Sequence, residues 1–283
     1  MKNKKLKIYA GHCSANPEYE DELYEIAHMA GIWGIRIVGL KSRTKLDANG
    51  QGMGIDYEVY QTNERVLLHG GSTANLQVPP SVILAERIHK ETSCAIATEI
   101  MNPLVQLPLY AGKIAEGKLL IWNPSVNQLG WPLHTMGKYG EEHEWTVGIK
   151  NGKWTDSIEK TWTGLTTYTN NAKTILIHRG FESANKGEYR NFPRHDIATD
   201  VKSRTGCQMY LDPSHMYGSK MRDRVVSETI TAMRMTMGNG SYLYDGILIE
   251  VGTSETDSDQ HISIHELQTL VLELSASRDL VEP

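Results

Sequence analysis

The chain has 283 residues, 40% of them hydrophobic and 22% charged, with a formal net charge of -5. That length suffices for one large α/β domain with a full core, and the acidic balance gives no reason to expect nucleic acid or an anionic membrane as partner. No apolar run approaches the roughly 20 residues that span a bilayer. Three cysteines without regular spacing make no disulfide framework. A cytoplasmic protein with reduced thiols is expected.

The basic start lacks the apolar core of a signal peptide, and Lys7–Ala10 reads as a first strand ending in the turn Gly11-His-Cys-Ser14. Asn16-Pro17 has the form of a helix start, with acidic residues Glu18, Glu20, Asp21 and Glu22 where the helix dipole favours them. Leu23, Ile26, Ala27 and Ala30 give that helix a core stripe, closed by Gly31. Gly34–Leu40 is the second strand and delivers Lys41-Ser-Arg-Thr44; residues 45–80 read as a long polar connection. Ser81–Thr92 is an amphipathic helix, Cys94–Ile100 a strand, and Asn102-Pro103 opens another helix. Lys118–Trp122 is a strand, Asn123–Glu144 a second long loop, Trp145–Lys150 a strand and Asp156–Thr169 a helix. Lys173–His178 is a strand, with a helix near His195–Ser203. The strand Cys207–Leu211 runs into Asp212-Pro-Ser-His-Met-Tyr-Gly218. A helix over Lys220–Met235, a strand over Gly246–Ile249 and a last helix over Ile264–Ala276 complete the chain.

Eight strands, nearly all followed by helices and with no linker, predict a single (β/α)8 TIM barrel over residues 1–283. An open doubly wound sheet is the alternative, but no Gly-rich dinucleotide fingerprint follows the first strand. In a barrel the active site forms at the C-terminal ends of the strands. The polar residues there are Cys13, Arg36 with Lys41 and Arg43, Glu99, Lys150, Arg179, His215 and Glu250, with Asp259 soon after. Cys13, His215, Glu250 and Asp259 make a mixed soft and hard donor set suited to a divalent transition metal, Asp257 competing with Asp259 for the last place. Taken singly, Cys13 reads as a small buried hydrophobe and Glu250 as an ion-pair partner; their shared position at strand ends favours the metal. Cys94 and Cys207 fall at strand starts, the opposite end, as packing residues. The cations suit an anionic substrate, arginine in particular binding phosphate or carboxylate in bidentate fashion.

These segments resemble the type I 3-deoxy-D-arabino-heptulosonate 7-phosphate (DAHP) synthases, which share a barrel with the 3-deoxy-manno-octulosonate 8-phosphate synthases. The resemblance rests on Gly11-His-Cys-Ser14, Arg36, Leu40-Lys-Ser-Arg-Thr44, Gly50-Gln-Gly-Met-Gly54, Thr98-Glu99, Val147-Gly-Ile-Lys-Asn-Gly152, Arg179-Gly180, Asp212–Gly218 and Asp245–Glu250, in family order. It implies condensation of phosphoenolpyruvate with an aldose phosphate, erythrose 4-phosphate in the DAHP case, with release of inorganic phosphate. It implies Cys13, His215, Glu250 and Asp259 as ligands of Mn2+, Fe2+, Co2+ or Zn2+. Arg36, Lys41, Lys150 and Arg179 would hold phosphoenolpyruvate, and Arg43 with Thr44 the acceptor phosphate. Lys41, Glu99 and His215 are the implied catalytic residues, Lys41 for proton transfer, and the assembly is a homo-oligomer, dimer or tetramer.

The chain departs from the family in the loop after the fourth strand. Where relatives carry an Ile-Gly-Ala-Arg motif, this sequence reads Ile121-Trp-Asn-Pro-Ser-Val-Asn-Gln128, and no Arg occurs between residues 114 and 149. Loss of one charge-assisted phosphate contact is worth ~1.5–3 kcal/mol, with His134 and Lys138 the nearby candidates to offset it. A divergent synthase with another acceptor, and a non-catalytic barrel that binds a metal or an anion, are the rival readings. Without an appended domain, no feedback inhibition by aromatic amino acids is expected.

Overall fold

The computed structural model describes residues 5–13, 19–38, 41–43, 54–56, 80–125, 127–152, 158–169, 173–253 and 258–283, with the backbone alone for 41–43, 54–56, 80, 158–160 and 258. Within these, β1 (Lys5–His12), β2 (Gly34–Ile37), β5 (Ala95–Glu99), β6 (Leu119–Trp122), β7 (Thr146–Lys150), β8 (Thr174–His178), β9 (Gln208–Leu211) and β10 (Gly246–Glu250) pair in sequence order, all parallel. Pairing of β10 with β1, Gly11 opposite Glu250 and Lys7 opposite Gly246, closes the sheet. The fold is a TIM barrel. A short antiparallel pair, β3 (Lys41–Arg43) and β4 (Gly54–Asp56), follows β2, and β11 (Asp279–Leu280) adds to the start of β1. Residues 44–53 and 57–79 of the long polar connection lie outside the described residues.

Alternation along each strand divides the side chains between two cores. Tyr9, Ala95, Ala97, Leu120, Trp122, Ile175, Ile177, Tyr210 and Leu248 fill the barrel. Ile8, Ala10, Ile35, Ile96, Ile121, Val147, Leu176, Met209 and Ile247 face outward into the helical layer. Large and small residues balance inside. The rings of Tyr9 and Tyr210, 6.3 Å apart between centroids, occupy space left by Gly34 and Gly246, where a Cβ would lie 2.6 Å and 2.5 Å from them. The same alternation turns Cys13, Arg36, Lys150, Arg179 and Glu250 toward the C-terminal mouth.

The helices are α1 (Glu20–Ala27), α2 (Pro80–Thr92), α3 (Pro103–Tyr110), α4 (Gly130–Glu142), α5 (Ile158–Thr169), α6 (His195–Thr205), α7 (Pro213–Tyr217), α8 (Val225–Met233) and α9 (Ile264–Ser275). Helix α4 corrects the loop expected over Asn123–Glu144. Gly130, Pro132, Gly137 and Gly140 read as breakers, yet Pro132 sits in the first turn, where its missing N–H costs nothing. Gly137 is required by packing: a Cβ there would lie 2.9 Å from the carbonyl oxygen of Thr169 on α5. Asn102 precedes α3 as expected, but its side chain makes no cap; Gln106 Oε1 instead accepts from the N–H groups of Met101 and Asn102 at 2.7 and 2.8 Å. The segment expected as one helix from Lys220 is a 3-10 turn, Ser219–Arg224, before α8. No described helix is long and apolar enough to cross a membrane.

Candidate active site

Strand β9 ends at Leu211, and Asp212 then caps the short helix α7, its side chain accepting from the N–H of His215. This turn brings Asp212 and His215 to the barrel mouth, where they meet Lys150 at the end of β7. Asp212 Oδ2 takes an ion pair from Lys150 Nζ at 2.8 Å, and Oδ1 accepts from His215 Nδ1 at 2.9 Å. All three are buried. Burial works against the charge on Asp212, but His215 and Lys150 outweigh it and hold the carboxyl well below the usual carboxylate range. Burial lowers Lys150, with Asp212 opposing, and brings His215 down to about 4, so its imidazole is neutral at pH 7.

Glu250, the last residue of β10, is the hub on the other side, fully buried. Arg36 Nη1 donates to its Oε1 and Gln260 Nε2 to its Oε2. His215 Nε2 lies 3.7 Å from Oε1, and His261 Nε2 3.7 Å from Oε2. Burial alone would raise the carboxyl, but Arg36, His215 and His261 hold it well below the usual range. Cys13 closes the group: its sulfur and ligand atoms of Glu250 and His261 all lie within 4.8 Å of one another.

The orientation of the two imidazoles carries chemical information. His261 Nδ1 is 3.0 Å from the carbonyl oxygen of Gly252, which can only accept, so Nδ1 carries the proton. His215 Nδ1 likewise donates to the ionised Asp212. The neutral ring of His215 therefore turns its Nε2 lone pair toward the Glu250 carboxylate, and His261, whenever neutral, does the same. Arg36 meets Oε1 of that carboxylate, and a further cation among the lone pairs would relieve the repulsion that remains. A ring N–H tied to a carboxylate or carbonyl with the other nitrogen directed inward is the arrangement of metal-ligating histidines. The residues present fit a divalent metal.

Arg179 is buried and donates from Nη1 to Ser125 Oγ, in the loop after β6, at 2.7 Å. Glu99 Oε2 accepts from Trp122 Nε1 at 3.1 Å, and the Trp122 ring lies 5.7 Å from Arg36 Cζ and 5.9 Å from Lys150 Nζ. Cys13, Arg36, Lys150, His215 and Glu250 thus share one mouth. Asp259 stands apart from them. It is exposed on the 3-10 turn Ser258–Gln260, and His261 is the residue turned inward. Lys41 and Arg43 lie on β3, but their side chains, like Thr44 and Asp257, fall outside the described residues. His134 and Lys138 are on the exposed face of α4. Sequence reading missed His261, Gln260 and the bridging role of Asp212; Asp212 had a signal, being the cap of the turn that presents His215.

Barrel, closure and mouth being established, comparison with solved structures is decisive for the architecture. A truncated form of 3-deoxy-D-arabino-heptulosonate 7-phosphate synthase from Thermotoga maritima superposes with a TM-score of 0.66 at 20% identity, over 97% of this chain and 87% of that one. A DAHP synthase (phospho-2-dehydro-3-deoxyheptonate aldolase) from the same organism gives 0.69 at 20% identity, over 97% of this chain and 69% of that one. The chain has the DAHP synthase fold. No family model matches the sequence, and no curated protein does. At this identity the DAHP synthase likeness is one of fold.

Proposed function

We propose that this protein is a metal-dependent synthase that joins phosphoenolpyruvate to an aldose phosphate, erythrose 4-phosphate being the first candidate acceptor. The observation that carries the reading is the pair of Nε2 atoms, from His215 and His261, directed at Glu250 beside Cys13. Cys13, His215, Glu250 and His261 would hold the metal, whose contribution when bound is Lewis-acid polarisation of a carbonyl. Arg36, Lys150 and Arg179 give the mouth the positive charge that a phosphorylated carboxylate requires. Lys150 sits between Asp212 and the Trp122 ring, which fixes its ammonium in place. Arg179, joined to Ser125, reaches the loop that lacks the family arginine. The likeness to the Thermotoga DAHP synthases supports the substrate class.

The test is phosphate release and phosphoenolpyruvate loss with purified protein, Mn2+ and separate erythrose, arabinose and ribose phosphates, with a chelator control. Chelator-sensitive turnover with erythrose 4-phosphate is expected. His261→Ala and Cys13→Ala should each weaken metal binding about 10–100-fold, as loss of an inner or orienting ligand does, while Asp259→Ala leaves it unchanged. Turnover with a different acceptor alone identifies a divergent synthase. Metal binding without turnover on any acceptor identifies the non-catalytic barrel.

A further inference from the structure

The opposite, N-terminal mouth of the barrel holds a cavity of about 570 Å³, lined by Lys7, Trp33, Thr146, Lys173, Gln208 and Tyr210 among others. Strand alternation places Lys7 inward, two residues before Tyr9, and the cavity reaches Tyr210, whose ring lies beside that of Tyr9. The charged residues that line it are Lys7 and Lys173, and Lys118 stands beside it at the Trp33 ring. Lys7 Nζ is 4.1 Å and Lys118 Nζ 4.2 Å from the centre of the Trp33 ring, and Trp33 Nε1 is itself held by Tyr9 Oη at 2.8 Å. Neither ammonium has a carboxylate partner among the described residues. Glu282, which reaches the chain near this end, accepts from the N–H of Gly31 at 2.7 Å. Lys173, at the rim, is already paired with Glu144 at 2.8 Å. Residues 1–4, Met-Lys-Asn-Lys, bring no carboxylate in sequence. Burial lowers Lys7, and Lys118 and Lys173 lower it further.

Like charges gathered in a concave, partly desolvated site are unfavourable without a counter-charge, and a cleft lined by one sign of charge concentrates ions of the other. Thr146 and the Gln208 amide line the same space with neutral polar groups, whereas the Thr174 and Thr205 hydroxyls donate to Thr169 Oγ1 and to the Val201 carbonyl. A barrel's N-terminal face ordinarily serves stability alone; two lysines set against one Trp33 ring without a carboxylate go beyond that role. We propose that the N-terminal mouth is a second binding site, separate from the catalytic one, for a small anion with two or more negative charges, a phosphate compound or a polycarboxylate. This inference does not depend on the proposed reaction.

Calorimetric titration of the full chain with inorganic pyrophosphate and, separately, citrate tests it and distinguishes the two anion classes. Saturable binding of at least one is expected. It should weaken at least about tenfold in Lys7→Gln/Lys118→Gln, which removes two charge-assisted contacts, and a saturable component should persist in Arg179→Gln, whose change touches only the other mouth. Removing charges from a mutually repelling cluster should leave thermal unfolding unchanged or raise it, so the variant remains testable. Trp33 supplies a second readout: the anion should change a fluorescence signal that is lost in Trp33→Phe. No saturable binding of either anion, or binding untouched by the lysine changes, overturns the proposal. Binding abolished by Arg179→Gln also overturns it and places the anion in the catalytic mouth.

Discussion

Asp212 carries two burdens that belong to one carboxylate: it neutralises the buried ammonium of Lys150 and fixes the tautomer of His215. Breaking a buried ion pair from one side leaves the other charge uncompensated, which costs about 3–5 kcal/mol, whereas removing both charges costs far less. Asp212→Asn should therefore lower stability by about 3 kcal/mol in urea unfolding. Adding Lys150→Met should recover a large part of that loss. An Asp212→Asn change within about 0.5 kcal/mol of the parent, the range of ordinary surface substitutions, would show that Lys150 is not held by this pair. Legibility at this scale follows from strand geometry. Cys13, Arg36, Lys150 and Glu250 sit in or beside strands, where alternation settles direction, and their common mouth was readable. His261 was not, because it follows a 3-10 turn, Ser258–Gln260, in which each residue rotates the chain by about 120°. A shift of two positions along such a turn decides between solvent and site. Nothing in the spacing of Asp257, Asp259 and His261 reveals where that rotation begins.

Among the elements, α9 shows how local signals and a long-range ion pair combine. Ser263 caps it, its hydroxyl accepting from Glu266 N–H while Glu266 returns a bond to the Ser263 N–H, a complete capping box. Arg222, from the 3-10 turn before α8, grips the same carboxylate, Nη1 to Oε1 at 2.7 Å. The bond from Arg222, against a smaller opposing effect of burial, brings the Glu266 carboxyl down from 4.5 to about 2. A carboxyl lowered by folding contributes stability that is complete above its unfolded value and is lost as pH falls through its folded value. Glutamine can still serve the capping box, so Glu266→Gln removes chiefly the ion pair. At pH 7 the expected loss is about 1 kcal/mol or less, since the pair is only partly buried and screened by solvent. That deficit should shrink as pH falls below about 4.5 and vanish near about 2, where the parent protonates too. Thermal unfolding of both proteins across that range measures it; a deficit constant with pH would assign the loss to packing. Helix α4 teaches the complementary lesson. Its glycines and proline oppose the helix in local terms, and only the close approach to Thr169 on α5 explains Gly137. That contact joins residues too far apart in sequence for local pattern to register.

In the whole molecule, strand–helix alternation indicated a parallel α/β fold, and eight units without a dinucleotide fingerprint favoured the closed barrel over the open doubly wound sheet. Closure itself depends on β10 meeting β1, a contact between chain ends that no local pattern announces. Closure also creates the division that organises this protein. The Tyr9 and Tyr210 rings lie across the interior between the C-terminal mouth and the lysine-lined one, and glycines at 34 and 246 give those rings their room. A methyl group at 246 would meet the Tyr210 ring at 2.5 Å, inside contact distance, so Gly246→Ala overpacks the floor. Overpacking of a dense core costs typically about 1–3 kcal/mol, and the ring is the obstacle rather than the backbone. Gly246→Ala should thus unfold at lower urea concentration than the parent. Combining it with Tyr210→Leu should recover part of the loss, making the double variant more stable than the sum of the single changes predicts. Strict additivity would mean that the added methyl finds space without moving Tyr210, and that the floor is looser than its packing implies.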